Sequence, residues 1–341
     1  MMNTKTKNKW LLAGAGLGGL FLFRSFKRNK REFSFKDRTV LITGGSRGLG
    51  LVLARTFAEQ GAKIAICSRT QDQLDTARAE LEAGGATVLA FNCDVADQEQ
   101  VKTMIAEIKE RLGPVEVLIN NAGVISAGPL EEMDVPDFEE AMNIHYWGAL
   151  YTMLEVIPDM KARGEGRIVN IASIGGKISV PHLVPYSGSK FALVGMSEGF
   201  RAELCKYGLY VTTINPGLMR TGSARNAFVK GQHEKEYTAF ALLDANPLIS
   251  LAAEDAARKI VDAARYGKAE ETLGLNAKLM SALHGLFPGT VTDLLCVINQ
   301  FLPEPGGIGK ERVRGYESET PLTQSILNAP NRKAAAKNNE Y

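Results

Sequence analysis

From residue 39 the chain alternates between short apolar runs and longer stretches whose apolar positions recur three and four residues apart. TVLIT (39–43) leads through glycines into LGLVLARTFAEQG, a helical pattern closed by glycine. KIAIC (63–67) with QDQLDTARAELEAGG repeats the unit, and so does TVLAFN (87–92) with DQEQVKTMIAEIKERLG. VEVLIN (115–120) precedes a long helix over about 136–161, and RIVNIAS (167–173) precedes one over 187–207. YVTTIN (210–215) is a sixth strand. Such uninterrupted apolar runs belong inside a sheet covered on both faces, and helices between them impose parallel pairing through right-handed crossovers. The pattern predicts one α/β domain built on a doubly wound, mostly parallel sheet.

Beyond Pro216 the pattern loosens. Residues 223–250 have no clear period yet carry Phe228, Tyr237, Phe240, Leu242 and Leu243, as expected of a lid over a binding site. AAEDAARKIVDAARYGK is a clear helix. Val291, Leu294, Leu295, Ile298 and Leu302 then form an apolar stripe at helical spacing, expected to pack on the domain or a second subunit, with a pocket wall or membrane contact as alternatives. From residue 314 the chain is polar and expected to be mobile. The organisation that follows is an N-terminal segment (1–34), a catalytic domain (35–275), a helical extension (276–313) and a polar tail (314–341).

Charge adds one feature. Eight of the 40 Lys and Arg fall within residues 1–31, which hold no acid, so the remaining 310 residues carry 32 basic against 38 acidic groups. A mildly acidic body argues against nucleic-acid binding. The N-terminal cations flank an uncharged run, residues 10–23, of about 21 Å as a helix against the ~30 Å hydrocarbon core. Snorkelling Lys and Arg with Trp10 at the interface would make it a short or shallow anchor, and an organellar presequence or a disordered leader are the alternatives. Bulky FLF and a basic cluster in place of a small-residue cleavage site argue against export, and basic flanks place the body on the cytoplasmic side of the membrane. Cys67, Cys93, Cys205 and Cys296 lack metal-ligand or redox spacing, and the four His are scattered, so no metal site is expected.

Two glycine-rich runs compete for one role. LLAGAGLGGL (11–20) spells G-x-G-x-x-G, but no strand precedes it and the basic RSFKRNKR follows. VLITGGSRGLG (40–50) lies between a strand and a helix, where glycines let the backbone approach a pyrophosphate and helix amides supply positive potential. The first run is therefore a decoy. With Thr43, Gly44, Gly48 and Gly50 in TGxxxGxG spacing, the chain resembles the short-chain dehydrogenase/reductase family over about residues 37–275, in a Rossmann-like fold. The resemblance implies cofactor contacts by Gly44, Ser46, Arg47, Gly48, Leu49 and Gly50. It implies further contacts from Asp94 and Val95 in NCDVAD, from Asn121, Ala122 and Gly123 in NNAG, and from Pro216, Gly217 and Thr221 in PGLMRT. It also implies a catalytic tetrad of Asn143, Ser173, Tyr186 and Lys190, with Asn143 holding a proton-relay water and Lys190 also binding the ribose. Dimers or tetramers are common among such proteins.

The chemistry can be argued from the residues. Reducing a carbonyl needs a hydride donor, a proton donor and a group to hold the oxygen. Tyr186 is the candidate proton donor, and Lys190, one helical turn on, is placed to lower its pKa. Ser173, at a strand end, can hydrogen-bond the substrate oxygen. Strand two ends in C-S-R-T with no acid between Lys63 and Gln71, and Arg69 and Arg47 are available for a 2′-phosphate, so the expected cofactor is NADP. The leading expectation is an NADP-dependent oxidoreductase acting on a carbonyl or alcohol, with the apolar run and lid favouring a lipid-like substrate. The alternative is a dinucleotide-binding scaffold or sensor without turnover.

Overall fold

The computed structural model describes residues 31–341. Seven parallel strands form the central sheet: β1 (Thr39–Thr43), β2 (Lys63–Ser68), β3 (Val88–Asn92), β4 (Val117–Asn120), β5 (Gly166–Ile171), β6 (Leu209–Pro216) and β7 (Glu270–Leu273). Their spatial order is β7-β6-β5-β4-β1-β2-β3. The chain runs outward from β1 to β3, then crosses back to add β4 on the other side of β1. The topological switch point, where ligands bind in open α/β sheets, therefore lies between the C-terminal ends of β1 and β4.

Helices cover both faces. On one, α1 (Gly48–Ala58), α2 (Gln71–Ala83) and α8 (Ala253–Arg265) bury Leu51, Phe57, Leu74 and Ile260 against Ile42 and Ile64. On the other, α3 (Gln98–Leu112), α5 (Gly148–Arg163) and α6 (Val184–Leu204) bury Ile108, Met153 and Leu204 against Leu41 and Leu118. Cys67 and Cys93 lie buried in this second layer as small hydrophobes. The long helix read over 136–161 is in fact α4 (Val135–Met142), a π turn (Asn143–Trp147) and α5 run together.

The predicted strands lie within one or two residues of the observed ones. Strand β7 escaped sequence reading because it is a short edge strand, EETL, with only Leu273 fully buried. Within 223–250 a helix, α7 (His233–Ala245), does form. Its buried side includes Glu236 and Asp244 among Tyr237, Ala241 and Ala245, which erases the apolar period. Next come α9 (Leu275–Leu286) and α10 (Pro288–Asn299). The stripe on α10 does not pack on the domain: Val291 is buried, but Leu294 and Ile298 are exposed, as are Leu279, Leu286 and Phe287 beside them.

The largest departure is the tail. Val313–Arg314 joins Ser126–Ala127 and Phe228–Val229 in a small three-stranded sheet. A final helix, α11 (Ala329–Lys337), then docks beside α7, where the Asn331 side-chain amide donates to the carbonyl of Ala241 (3.0 Å). Residues 314–341 are thus built into the fold, through polar contacts that leave no hydrophobic signature. No described helix is long and apolar enough to cross a membrane, and the 10–23 segment and the decoy glycine run lie outside the described residues.

Candidate active site

The glycine loop takes its shape from what a side chain would strike. Gly44 and Gly48 hold positive φ (+62° and +55°), and a Cβ on Gly50 would collide with the Gly44 carbonyl. The turn is stitched to the end of β4. Thr43 Oγ1 accepts from the backbone N–H of Asn121 and Ala122 (both 3.0 Å), and the Asn121 side chain donates to the carbonyls of Thr43 and Gly44 (both 3.1 Å). The NNAG motif thereby closes the switch point and fixes the loop. Arg47 stands at the N-cap of α1, and its side chain does not cap the helix, so the first-turn amides face the groove. Among the described residues, Ser46, Leu49 and Val95 are buried beneath this surface.

At the end of β5, Ser173 caps a 3₁₀ turn. Its Oγ accepts from the backbone N–H of Gly175 (3.0 Å), leaving the hydroxyl proton available. Tyr186 and Lys190 project from the first turns of α6. Lys190 Nζ donates to the Ile171 carbonyl (2.8 Å) and lies 5.6 Å from the Tyr186 ring centre. A Cβ on Gly175 would lie 3.1 Å from the Tyr186 ring and 3.4 Å from Ser173 Oγ, so both side chains gather at one turn. The sequence therefore anticipated a real cluster of Ser173, Tyr186 and Lys190.

Asn143 does not join it. It is exposed at the start of the π turn, whereas His145, two residues on, is buried and faces the tyrosine. The two rings meet edge to face at 5.5 Å. His145 Nε2 accepts from the Val124 N–H (3.1 Å), and Nδ1 lies 2.7 Å from Ser189 Oγ. Ser189 spends its proton on the Tyr186 carbonyl (2.7 Å), so it must accept from His145, which assigns the neutral Nδ1–H tautomer. His145 is thus a brace from the NNAG loop to the helix that carries Tyr186. Gly123 makes room for it, since a Cβ there would lie 3.0 Å from Nε2. The sequence signal was present, a lone His on the inner face of a helix, but its partners are remote in sequence.

Burial governs the electrostatics. It pushes Lys190 down to about 7 and holds His145 well below the usual imidazole range, with Lys190 adding to the effect on His145. It raises Tyr186; the Ser173 hydroxyl opposes that rise and the Asp244 carboxylate adds to it. Lys190 was expected to lower the tyrosine. Its ammonium donates to the Ile171 carbonyl and stays within 5.6 Å of the tyrosine ring centre. Asp244, on α7 and accepting from the Met219 N–H (3.2 Å), is raised by burial to about 7.

The remaining expected contacts lie at or just beyond the C-terminal ends of β2, β3 and β6. Arg69, half-exposed, lies 3.7 Å from the carboxylate of Asp94, so the residue expected at a 2′-phosphate and another expected cofactor contact are neighbours. Pro216 ends β6, the Gly217 N–H donates to the Leu273 carbonyl (2.9 Å), and Thr221 is buried beside it. Arg47 meets a carboxylate that no sequence pattern foreshadowed, that of Glu340, at 3.6 Å. No cluster of potential metal ligands occurs among the described residues.

The fold and this cluster together define a class. The family model for short chain dehydrogenases matches residues 38–231. The chain is 34% identical to dehydrogenase/reductase SDR family member 7B of Danio rerio over 284 residues, covering 81% of this chain and 90% of that one. It is 34% identical to the 3-ketodihydrosphingosine reductase of Bos taurus over 257 residues, covering 74% and 76%. Among solved structures, a short-chain dehydrogenase from Streptomyces avermitilis superposes with a TM-score of 0.65 at 26% identity, covering 77% of this chain and 99% of that one. The chain belongs to the short-chain dehydrogenase/reductase family, whose members are oxidoreductases that use a nicotinamide dinucleotide and act on alcohols or carbonyls of small molecules.

Proposed function

We propose that this protein is an NADP(H)-dependent reductase of a lipophilic ketone. The observation that carries the reading is the cluster of Ser173, Tyr186 and Lys190 around one turn, with the tyrosine held in its protonated form by burial. In the direction of reduction, the phenol is the donor to the carbonyl oxygen. The loop suits a dinucleotide: its glycines leave clear the space that a Cβ would fill, it leads into the N-terminus of α1, and Arg47 and Arg69 are the cations available to a 2′-phosphate.

When bound, the dinucleotide supplies the hydride. The Ser173 hydroxyl holds the substrate oxygen by donating to it, and Tyr186 gives that oxygen its proton as negative charge develops there. Lys190 Nζ spends one proton on the Ile171 carbonyl and keeps two for ribose hydroxyls and for stabilising the tyrosinate left behind. His145 positions Tyr186 without exchanging protons, because its nitrogens are both engaged, and Asn143, exposed two residues before it, keeps the role of holding a relay water. The bovine relative named for reduction of a keto sphingoid base supports a lipid-like substrate. Attachment of residues 10–23 to a membrane, with the body on the cytoplasmic side, completes the reading. NADPH oxidation across a panel of long-chain and polycyclic ketones tests it, and binding of the cofactor with no turnover on any of them would favour a non-catalytic scaffold.

A further inference from the structure

We propose that the chain's own C-terminal segment, residues 338–341, is a built-in occupant of the cofactor groove, so that a dinucleotide binds only by displacing it. The proposal rests on the reading of the glycine loop as the dinucleotide site. Helix α11 delivers the segment. Its last carbonyl, at Lys337, and the Asn338 side chain both accept from Arg55 of α1 (2.8 and 3.0 Å). Gly222 has no side chain because Ala335 of the same helix lies where a Cβ would go.

From there the segment crosses the groove. The Asn338 carbonyl accepts from the backbone N–H of Gly48 (2.8 Å), an amide of the loop whose geometry suits a pyrophosphate. The Asn338 side chain donates to the carbonyl of Thr221, one of the expected cofactor contacts (3.3 Å). Asn339, at positive φ (+57°), donates to the carbonyl of Ser46 in the glycine loop (2.9 Å). Glu340 closes the site. Its Oε1 occupies the space that Gly48 leaves by lacking a Cβ, its Oε2 faces Arg47 at 3.6 Å and accepts from Asn226 (2.8 Å), and the residue is only 3% exposed.

A buried carboxylate thus sits above the glycine of the loop, beside the arginine at the helix N-terminus. Both features select for an anion, and in a dinucleotide that anion is a phosphate. The tail and the dinucleotide would use the same amide, the same arginine and the same cleared volume, and one volume cannot hold both. The apparent dissociation constant of the cofactor is then its intrinsic value divided by the fraction of molecules with the tail displaced.

The test is direct titration of NADPH and of NADH, followed by fluorescence or calorimetry, into the full chain, a variant ending at Lys337, and a Glu340→Arg variant that sets a cation against Arg47. Thermal unfolding identifies a variant that fails to fold, and the point variant and the protease arm need no truncation. Limited trypsin digestion of the full chain, with and without saturating NADPH, reads cleavage after Lys337 and Arg332. The proposal expects both variants to bind NADPH at least tenfold tighter than the full chain, and expects saturating NADPH to open the tail to cleavage. Unchanged affinity in the variants, or a tail that stays protected with cofactor bound, would overturn the proposal and leave the functional reading intact. Failure of both dinucleotides to bind any folded form would overturn the functional reading, and the competition with it.

Discussion

Replacing His145 by Leu separates a brace from a filler. The side chain is of similar bulk, so the core keeps its volume, but two buried hydrogen bonds vanish. The Val124 N–H is left without its acceptor, which costs about 1–3 kcal/mol, and Ser189 Oγ loses a donor while keeping its own bond to the Tyr186 carbonyl. A total loss of about 2–4 kcal/mol of unfolding free energy follows. The Tyr186 ring also loses the imidazole at 5.5 Å that fixes its tilt, and a displacement of about 1 Å at a proton donor costs on the order of a hundredfold in kcat with KM little changed. Calorimetry gives the first quantity, and initial rates of NADPH oxidation with a reactive ketone give the second. His145→Asn, whose amide can also accept and donate, should recover part of both. A pH signature accompanies them. Because the folded-state pKa lies well below 6.5, the wild-type protein has this group's stability in full above about pH 6.5 and loses it as pH falls, whereas the Leu variant has no such group. The stability gap between the two should therefore narrow below pH 6. A Leu variant with wild-type kcat and less than about 1 kcal/mol of lost stability would refute this account of the residue.

Further expectations follow from the charged groups and the apolar N-terminal run. Arg47→Ala and Arg69→Ala should each lower the ratio of NADPH to NADH affinity by about tenfold or more; the ratio cancels any loosening of the tail, and an unchanged ratio in both would exclude NADP selection by these residues. Glu340, raised to about 7 by burial against the opposing influence of Arg47, Asn226 and Arg225, holds a proton more tightly folded than unfolded. Its contribution is therefore full below about pH 4.5 and is lost as pH rises through 7, by up to about 3 kcal/mol. Relative to Glu340→Gln, the wild-type protein should lose stability between pH 5 and 8, and a flat difference in thermal unfolding would contradict that. Alkaline carbonate should leave the full chain in the membrane pellet and release a variant lacking residues 1–30; a full chain recovered in the supernatant would remove the anchor from the account.

The sheet was legible because its strands are buried on both faces, so TVLIT, KIAIC and VLIN are apolar through their centres and carry polar residues only at their ends. EETL was not legible, because an edge strand needs no apolar run. The proposed catalytic cluster could be read where two side chains share a helix, as Tyr186 and Lys190 do, and where a strand end meets a serine. His145 was not legible beside Tyr186, because the buried face of the π turn, which falls on Ile144 and His145, meets partners remote in sequence. The tail was opaque for a different reason. Its hold on the groove comes from Asn338, Asn339 and Glu340, polar residues that look solvated until the loop they cap is folded.

The measurement that bears most directly on the central claim compares wild-type protein with Tyr186→Phe, following NADPH absorbance with a lipophilic ketone and measuring cofactor binding separately. The phenylalanine fills the same space and leaves the Ser189 and Lys190 contacts to the backbone in place, so NADPH affinity should stay within about twofold. With the proton donor gone, turnover should fall by a factor of about 10²–10⁴. A Phe variant that oxidises NADPH at the wild-type rate would contradict the assignment of Tyr186, and with it the mechanism built on that residue.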